Sequence, residues 1–365
     1  MSVIRTGAWP EGSMTAVAIT APGRVEVTRI PIPGPRPAEV LIRPSYVGLC
    51  GTDLELLHGT ASYLKDGRAR FPLVFGHEWC GQVAAVGEDV RGLAVGDRVV
   101  GQTMVPCGLC RMCQRGQRAH CERLVEVGLY GLQGAAAEYI RMPMRSLTVL
   151  PDALSDLNAA FIEPAVTVVG GFDKAGCGLE DEVAVVGTGT IGLLAVQLAS
   201  RMGRSVDAIG IDEAGLKLAA ACGARRTLRP EQARSGSYSL VIEASGSSRA
   251  FLRSVELAAT GGRVAVVGVA NEPVAGFVPG ELVLRGVDLL GIRHGLDYYD
   301  RTIQLFVDGI LDAKPLVAGV LPPGQAAHAF EMLERGRSGP PKVLLRFNDS
   351  QSGTASLESW EGRAS

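Results

Sequence analysis

The rhythm of apolar and polar positions changes once along this chain, near residue 151. Before it, short β-rich runs at 16–19, 40–44, 81–86, 98–100 and 138–141 alternate with Gly/Pro/Asp turns such as PGPRP and VGD. That rhythm predicts a compact all-β unit with long inserted loops. After it, the turn-rich PDALSD leads into a helical stretch and then DEVAVVGTGTIGLLAVQLASRMG. Continuous apolar strands (VDAIGID, LVIEAS, GGRVAVVGV) then alternate with helical stretches (EAGLKLAAACGA, SRAFLRSVELAA). This is the signature of βαβ units and a parallel sheet buried on both faces. From about Tyr298 the pattern is helical, then returns to a strand at PKVLLRF. Residues 1–13 read as a flexible leader and residues 349–365, polar and small, as a disordered tail.

At 365 residues the chain is long for one core and suggests about two domains. Apolar residues at 47% and charged residues at 20% fit a globular protein with large cores. A net charge of −2 without a Lys/Arg block argues against nucleic acid and anionic membranes as partners. No apolar run approaches the roughly 20 residues of a spanning helix, and no secretory signal opens the chain. A cytoplasmic location is the expectation. In such a reducing setting, clustered cysteines point to metal rather than disulfides.

Two motifs carry chemistry by their context. Residues 183–186 form an apolar strand that runs into Gly187, Gly189 and Gly192, spaced as G-x-G-x-x-G, with Thr190 and Ile191 opening a helix. The first glycine permits the turn, the second lets a pyrophosphate approach, and the third lets helix and strand pack. The free N–H groups of the helix then face the phosphates. A second strand at 206–211 is followed by Asp212. As a ribose-hydroxyl acceptor that would repel a 2′-phosphate, Asp212 points to NAD; as a helix N-cap it would be purely structural. The second motif is Cys107-x2-Cys110-x2-Cys113-x7-Cys121. Four thiolates from one loop close a tetrahedron around a structural zinc. The seven-residue gap and the absence of a following proline disfavour an iron–sulfur cluster. His120 is a possible alternative ligand.

Cys50, His77, Glu78 and Glu163 make a mixed sulfur, nitrogen and oxygen set, as an open catalytic zinc site needs. Together GLCGTD, GHE followed by Gly81, the VGD turn, the cysteine lobe, EPA and GTGTIG resemble the zinc-containing medium-chain dehydrogenase/reductase family over about residues 15–346. The resemblance implies an α/β plus β architecture: a GroES-like catalytic domain at 14–160 with 303–348, and a Rossmann domain, a doubly wound parallel sheet, at 161–302. It implies two zinc ions, one catalytic and one structural, NAD, a small alcohol or ketone substrate, and a homo-oligomer, dimer or tetramer. It places Cys50, His77 and Glu78 on the catalytic zinc, with Glu163 binding directly or through water. Thr52 falls at the position that touches the substrate alcohol, Thr167 at the nicotinamide, and Asp53 behind the zinc ligands. Where the family often has a relay histidine this chain has Glu55, with His58 nearby as a substitute. GHE followed by Trp79 is similar to the aminocyclitol and sugar branch. The expected reaction is hydride transfer between a secondary alcohol of a polyol, sugar or aminocyclitol and NAD. An L-threonine or amino-alcohol dehydrogenase is the alternative, and a non-catalytic NAD-binding protein stands behind both.

Overall fold

The computed structural model describes residues 8–34, 36–202, 205–335 and 339–347. The first half builds on a sheet whose strands run, side by side, Leu147–Val149, Arg98–Gly101, Glu78–Val86, Glu39–Gly48, Lys342–Arg346 and Val317–Leu321, with Ile140–Pro143 also on Glu39–Gly48. A hairpin of Ser13–Ala21 and Arg24–Pro31 with Leu73–Val74 closes one side. Ile42, Val47, Phe75 and Trp79 are fully buried in the core between these layers. A Cβ at Gly101 would lie 2.0 Å from the Trp79 ring, so this glycine is what lets the indole enter. Trp79 is therefore a packing residue and faces no substrate.

The second half is a six-stranded, fully parallel sheet in the order Arg226–Leu228, Ser205–Ile209, Glu182–Val186, Tyr238–Glu243, Ala258–Val266 and Asp288–Gly291. In chain order that is 3-2-1-4-5-6, which places a ligand crevice at the carboxyl end of Glu182–Val186, where the winding reverses. The GroES-like plus Rossmann-like expectation is met.

The two halves share a core. Helix Ile162–Ala175 packs against helices Thr190–Met202 and Tyr299–Val307, and the same cluster takes in Cys80 and Leu344 of the first sheet. Tyr299, Thr302, Ile303 and Phe306 form one buried stripe at helical spacing. A domain boundary between 302 and 303 would cut that stripe; the chain rejoins the first sheet only at Val317–Leu321. The leader differs as well. Residues 1–7 lie outside the described residues, but the Trp9 indole N–H donates to the Pro33 carbonyl at 2.8 Å, the Ile32 N–H donates to Gly12, and Ser13 opens the first strand. The tail at 349–365 lies outside the described residues. No helix among the described residues is long and apolar enough to cross a membrane.

Candidate metal centres and dinucleotide site

Cys50 stands between strand Glu39–Gly48 and helix Gly51–Leu57, as the helix N-cap. Its backbone N–H donates to Asp53 Oδ2 at 2.9 Å, which fixes the turn and turns Asp53 inward. Asp53 is fully buried, and its Oδ1 lies 3.5 Å from His77 Nδ1, so the carboxylate orients the imidazole. Thr103 Oγ1 donates to the His77 carbonyl at 2.9 Å and holds the other side of the GHE segment. Cys50, His77 and Glu78 place one ligand atom each within 4.8 Å of one another. Burial pulls the His77 pKa down, but the Asp53 carboxylate and the Cys50 sulfur outweigh it and hold the imidazole well above its usual value. A thiol, an imidazole and a carboxylate converging in a buried pocket suit zinc with room for a further ligand.

Glu78 brings a partner that sequence reasoning did not find. Its Oε2 lies 2.5 Å from Lys342 Nζ, which also donates to the Leu49 carbonyl at 3.0 Å. The carboxylate lies over Gly48, where a Cβ would be 2.5 Å from Oε2. Burial penalises both charges. The Glu78, Cys50 and Glu163 charges counter it at Lys342 and hold its pKa above the ordinary lysine value. The only sequence signal was a lysine heading the apolar strand Lys342–Arg346.

Glu163 is not among the three converging ligands. It is buried on helix Ile162–Ala175, and its Oε1 lies 3.2 Å from His294 Nε2. His294, with 6% of its side chain exposed, comes from the loop after strand Asp288–Gly291 and carries a buried Nδ1 without a partner. Burial raises the Glu163 pKa, and the His294 bond and charge outweigh it, so the carboxylate stays ionised.

The expected relay residues separate. Thr52 is half-buried on the first turn after Cys50. Glu55 accepts from Asn271 Nδ2 at 3.0 Å across the cleft between the two halves. His58 is exposed on the outer face, with Nε2 2.8 Å from Glu334. A cluster of charged and phenolic groups lies close enough to His77 for its charge to act on the Tyr63 phenol. Tyr130 donates to the buried Glu126 at 2.9 Å, the Tyr63 hydroxyl lies 3.4 Å from it, and Arg293 lies 3.7 Å away. Arg68 covers the Tyr63 and Tyr130 rings at 4.8 and 4.6 Å.

The second cluster is the cysteine lobe. Cys110 Sγ lies 3.5 Å from Cys113 Sγ and 3.8 Å from Cys121 Sγ. Four ligands at about 2.3 Å from one zinc stand about 3.8 Å apart, so the spacing fits. N–H groups of Leu109 and Cys110 donate to Cys107 Sγ, and the Leu109 bond leads in pulling that thiol down to about 6. His120 stays outside the converging set.

At the crevice, Gly187 has φ +111, and a Cβ there would meet the Ala244 backbone at 2.9 Å. A Cβ at Gly192 would lie 2.0 Å from the Gly187 carbonyl, whereas nothing lies within 4 Å of one at Gly189. Gly189 thus has the open surroundings that the second glycine of such a turn needs for a pyrophosphate to approach, and helix Thr190–Met202 begins beside it with Ile191 in its first turn. Thr167 is half-buried on helix Ile162–Ala175, with its backbone against Gly295. Asp212 is placed as the N-cap of helix Glu213–Ala221 and accepts from the Gly215 N–H at 2.6 Å. The capping role is the one its geometry displays.

Residues 36–152 match the family described as alcohol dehydrogenase GroES-like domain, and residues 190–308 the family described as zinc-binding dehydrogenase. An L-threonine 3-dehydrogenase of Bacillus licheniformis is 32% identical over 92% of this chain and 99% of its own length. One from Stenotrophomonas maltophilia is 31% identical over 87% and 95%. Among solved structures, the alcohol dehydrogenase TADH from Thermus sp. ATN1 superposes with a TM-score of 0.83 at 32% identity, covering 91% of this chain and 99% of that one. A Sinorhizobium meliloti protein solved with NADP bound gives 0.83 at 30% identity, covering 92% and 99%.

Proposed function

The chain belongs to the zinc-containing medium-chain dehydrogenase family and is a zinc- and nicotinamide-dinucleotide-dependent dehydrogenase, and from that premise we propose that it oxidises the secondary alcohol of a small amino alcohol of the L-threonine class. The observation that carries the substrate reading is the charged cluster close to His77. Glu126 is a buried carboxylate bonded by Tyr130 and paired with Arg293, and Arg68, paired with Asp66 at 2.6 Å, stacks on the Tyr63 and Tyr130 rings, so both signs of charge are gathered there. A substrate with an ammonium and a carboxylate next to its carbinol meets both signs of charge, whereas a neutral polyol uses neither. Burial, then Glu126, pushes the Tyr63 phenol up to about 12, so it stays a donor throughout turnover. The curated relatives of this chain named above, both L-threonine 3-dehydrogenases, support the same class.

In this mechanism Cys50, His77 and Glu78 hold the catalytic zinc, and Cys107, Cys110, Cys113 and Cys121 hold the structural one. Zinc supplies Lewis acidity at the substrate oxygen and the nicotinamide ring supplies the hydride acceptor. Asp53 keeps the His77 ring in its ligating orientation. Thr52 takes the hydroxyl proton and hands it to Glu55, which lies on the same helix and faces the cleft. His58, turned outward to Glu334, takes no part. Glu163, kept ionised by His294, adds negative charge behind the metal ligands. Thr167 lines the nicotinamide end, and the turn from Gly187 to Gly192 receives the pyrophosphate.

A polyol, sugar or aminocyclitol substrate is the second reading. It is supported by a likeness to galactitol-1-phosphate dehydrogenase from Escherichia coli, at 28% identity and a TM-score of 0.82. The exposed edge strand Asp288–Gly291, beside Val283 and Leu284 at 83% and 82% exposure, supports assembly of copies into a homo-oligomer. Reduced-cofactor absorbance over a panel of L-threonine, amino alcohols, polyols, sugars and aminocyclitols separates the two substrate readings, with zinc-loaded and chelated enzyme run side by side. L-Threonine turnover that chelation abolishes is expected. Turnover on polyols alone overturns the amino-alcohol reading, and undiminished turnover after chelation overturns the zinc assignment.

A further inference from the structure

Three helices turn one face each toward a gap that they do not close. Val169, Phe172 and Asp173 sit on helix Ile162–Ala175 at the spacing of one helical face. Leu198, Arg201 and Met202 repeat that spacing on helix Thr190–Met202, and Arg301 and Leu305 stand one turn apart on helix Tyr299–Val307. Gly176, left-handed at φ +62, ends the first helix and brings half-buried Cys177 into the lining. The gap is a cavity of about 250 Å³. At ~30 Å³ per water it has room for about eight, whereas protein interiors hold few voids larger than one. It is separate from the dinucleotide turn and from Glu163. Met202 lies about 18 Å along its helix from Thr190, and Phe172 about 14 Å along its helix from Glu163.

Floor and rim differ in chemistry. Val169, Phe172 and Leu198 are buried, so the floor is apolar. Arg201 and Arg301 are exposed and therefore stand at the rim, and neither pairs with a carboxylate among the described residues. Asp173 is the one carboxylate in the lining, and it accepts from the Tyr298 hydroxyl. Two guanidinium groups against one carboxylate leave the rim with a net positive charge. A ligand with a carboxylate head and a short apolar tail matches both parts. Its tail leaves water against the floor, at about 25 cal/mol per Å² buried, and its head meets the planar N–H forks at the rim. A nucleotide would find no polar partner beyond the rim, and a neutral hydrocarbon would leave the arginines unused. At about one non-hydrogen atom per water volume, the space suits a tail and head of about six carbons together.

We propose that this gap between the three helices is a second small-molecule site, which binds a short aliphatic carboxylate with its tail on Val169, Phe172 and Leu198 and its head at Arg201 and Arg301. The site stands apart from the catalytic one, so it holds whichever alcohol the enzyme oxidises. Cys177 provides a readout confined to this place. Burial, ahead of the Asp181 charge, pushes its thiol up to about 11, so alkylation is slow enough to follow. The measurement is the rate of Cys177 modification by iodoacetamide on the full zinc-loaded chain, by peptide mass spectrometry, against rising hexanoate and, separately, hexanamide. Hexanoate should slow modification at least about fivefold at saturation, and at a concentration about tenfold below that of the neutral amide. Arg201→Gln combined with Arg301→Gln, two exposed changes to a good helix former, should weaken hexanoate about tenfold and leave hexanamide where it was. Retained protection by the amide also shows that the variant is folded. Unprotected Cys177 at every hexanoate concentration, equal protection by acid and amide, or a double variant that binds hexanoate as the parent does overturns the proposal and makes the gap a water-filled one.

Discussion

Replacing Lys342 by Met tests whether the metal pocket is held together by charge. The methionine keeps the packed stem and removes only the ammonium. Lys342 and Glu78 are 3% and 2% exposed, so no water can take the place of the lost cation. Removing one partner of a buried ion pair costs about 3–5 kcal/mol. The Leu49 carbonyl, which also accepts from Nζ, loses a bond worth about 1 kcal/mol. At roughly 2–4 °C per kcal/mol for a domain of this size, the thermal midpoint of chelated protein should fall by roughly 8–24 °C. In the zinc-loaded protein the fall should be smaller, because a cation held by Cys50, His77 and Glu78 compensates the same carboxylate. The double variant Lys342→Met with Glu78→Gln should recover most of the loss in chelated protein, since it removes the uncompensated charge. The assay is a thermal scan of all three variants with and without zinc. A single variant whose chelated midpoint lies within 2 °C of the parent refutes the reasoning, as does a double variant no better than the single.

Two further outcomes follow from other parts of the molecule. Cys113→Ser should lower bound zinc from two ions to one per chain by native mass spectrometry and open residues 107–121 to protease, because that lobe has little core beyond its own sulfurs, Met112 and Leu124; two retained ions would sink the four-thiolate assignment. Asp207 is pushed up by burial but pulled below the usual carboxylate range by bonds from Arg226, Tyr238 and Arg225. Its folded pKa is thus below its unfolded one, so its contribution is present above about pH 3.9 and lost as pH falls through the lower folded value. Both arginines are about half exposed, which limits the contribution of these pairs to about 1 kcal/mol. The gap in urea midpoint between parent and Asp207→Asn should therefore be full at pH 7 and shrink toward pH 3, and a pH-independent gap would contradict this.

Local pattern carried far in this chain because its chemistry is written in short segments. The thiolates of the cysteine lobe lie within fifteen positions, so their spacing alone brings them together. The glycine turn is flanked by the strand and helix that give it meaning, and both form where the apolar runs place them. Cys50, His77 and Glu78 converge because two adjacent antiparallel strands of one sheet deliver them, with Gly48 opposite Glu78 in register. Asp212 was ambiguous for a physical reason. Ribose acceptor and N-cap occupy neighbouring positions after the same strand, and only the direction of the carboxylate tells them apart.

The sequence by itself thus determined the two layers, the glycine turn and the cysteine lobe, since each depends on periodicity or on contacts close along the chain, whereas Cys50, His77 and Glu78 meet through strand pairing and Glu163 stays apart from them. Tertiary structure alone decided which charges surround those ligands. Lys342 reaches Glu78 from 264 positions away, His294 reaches Glu163 from 131, and Asn271 reaches Glu55 from 216. No local rhythm encodes such pairs, because a lone lysine, histidine or asparagine has no preferred partner until the sheets and the shared helical core fix which surfaces meet.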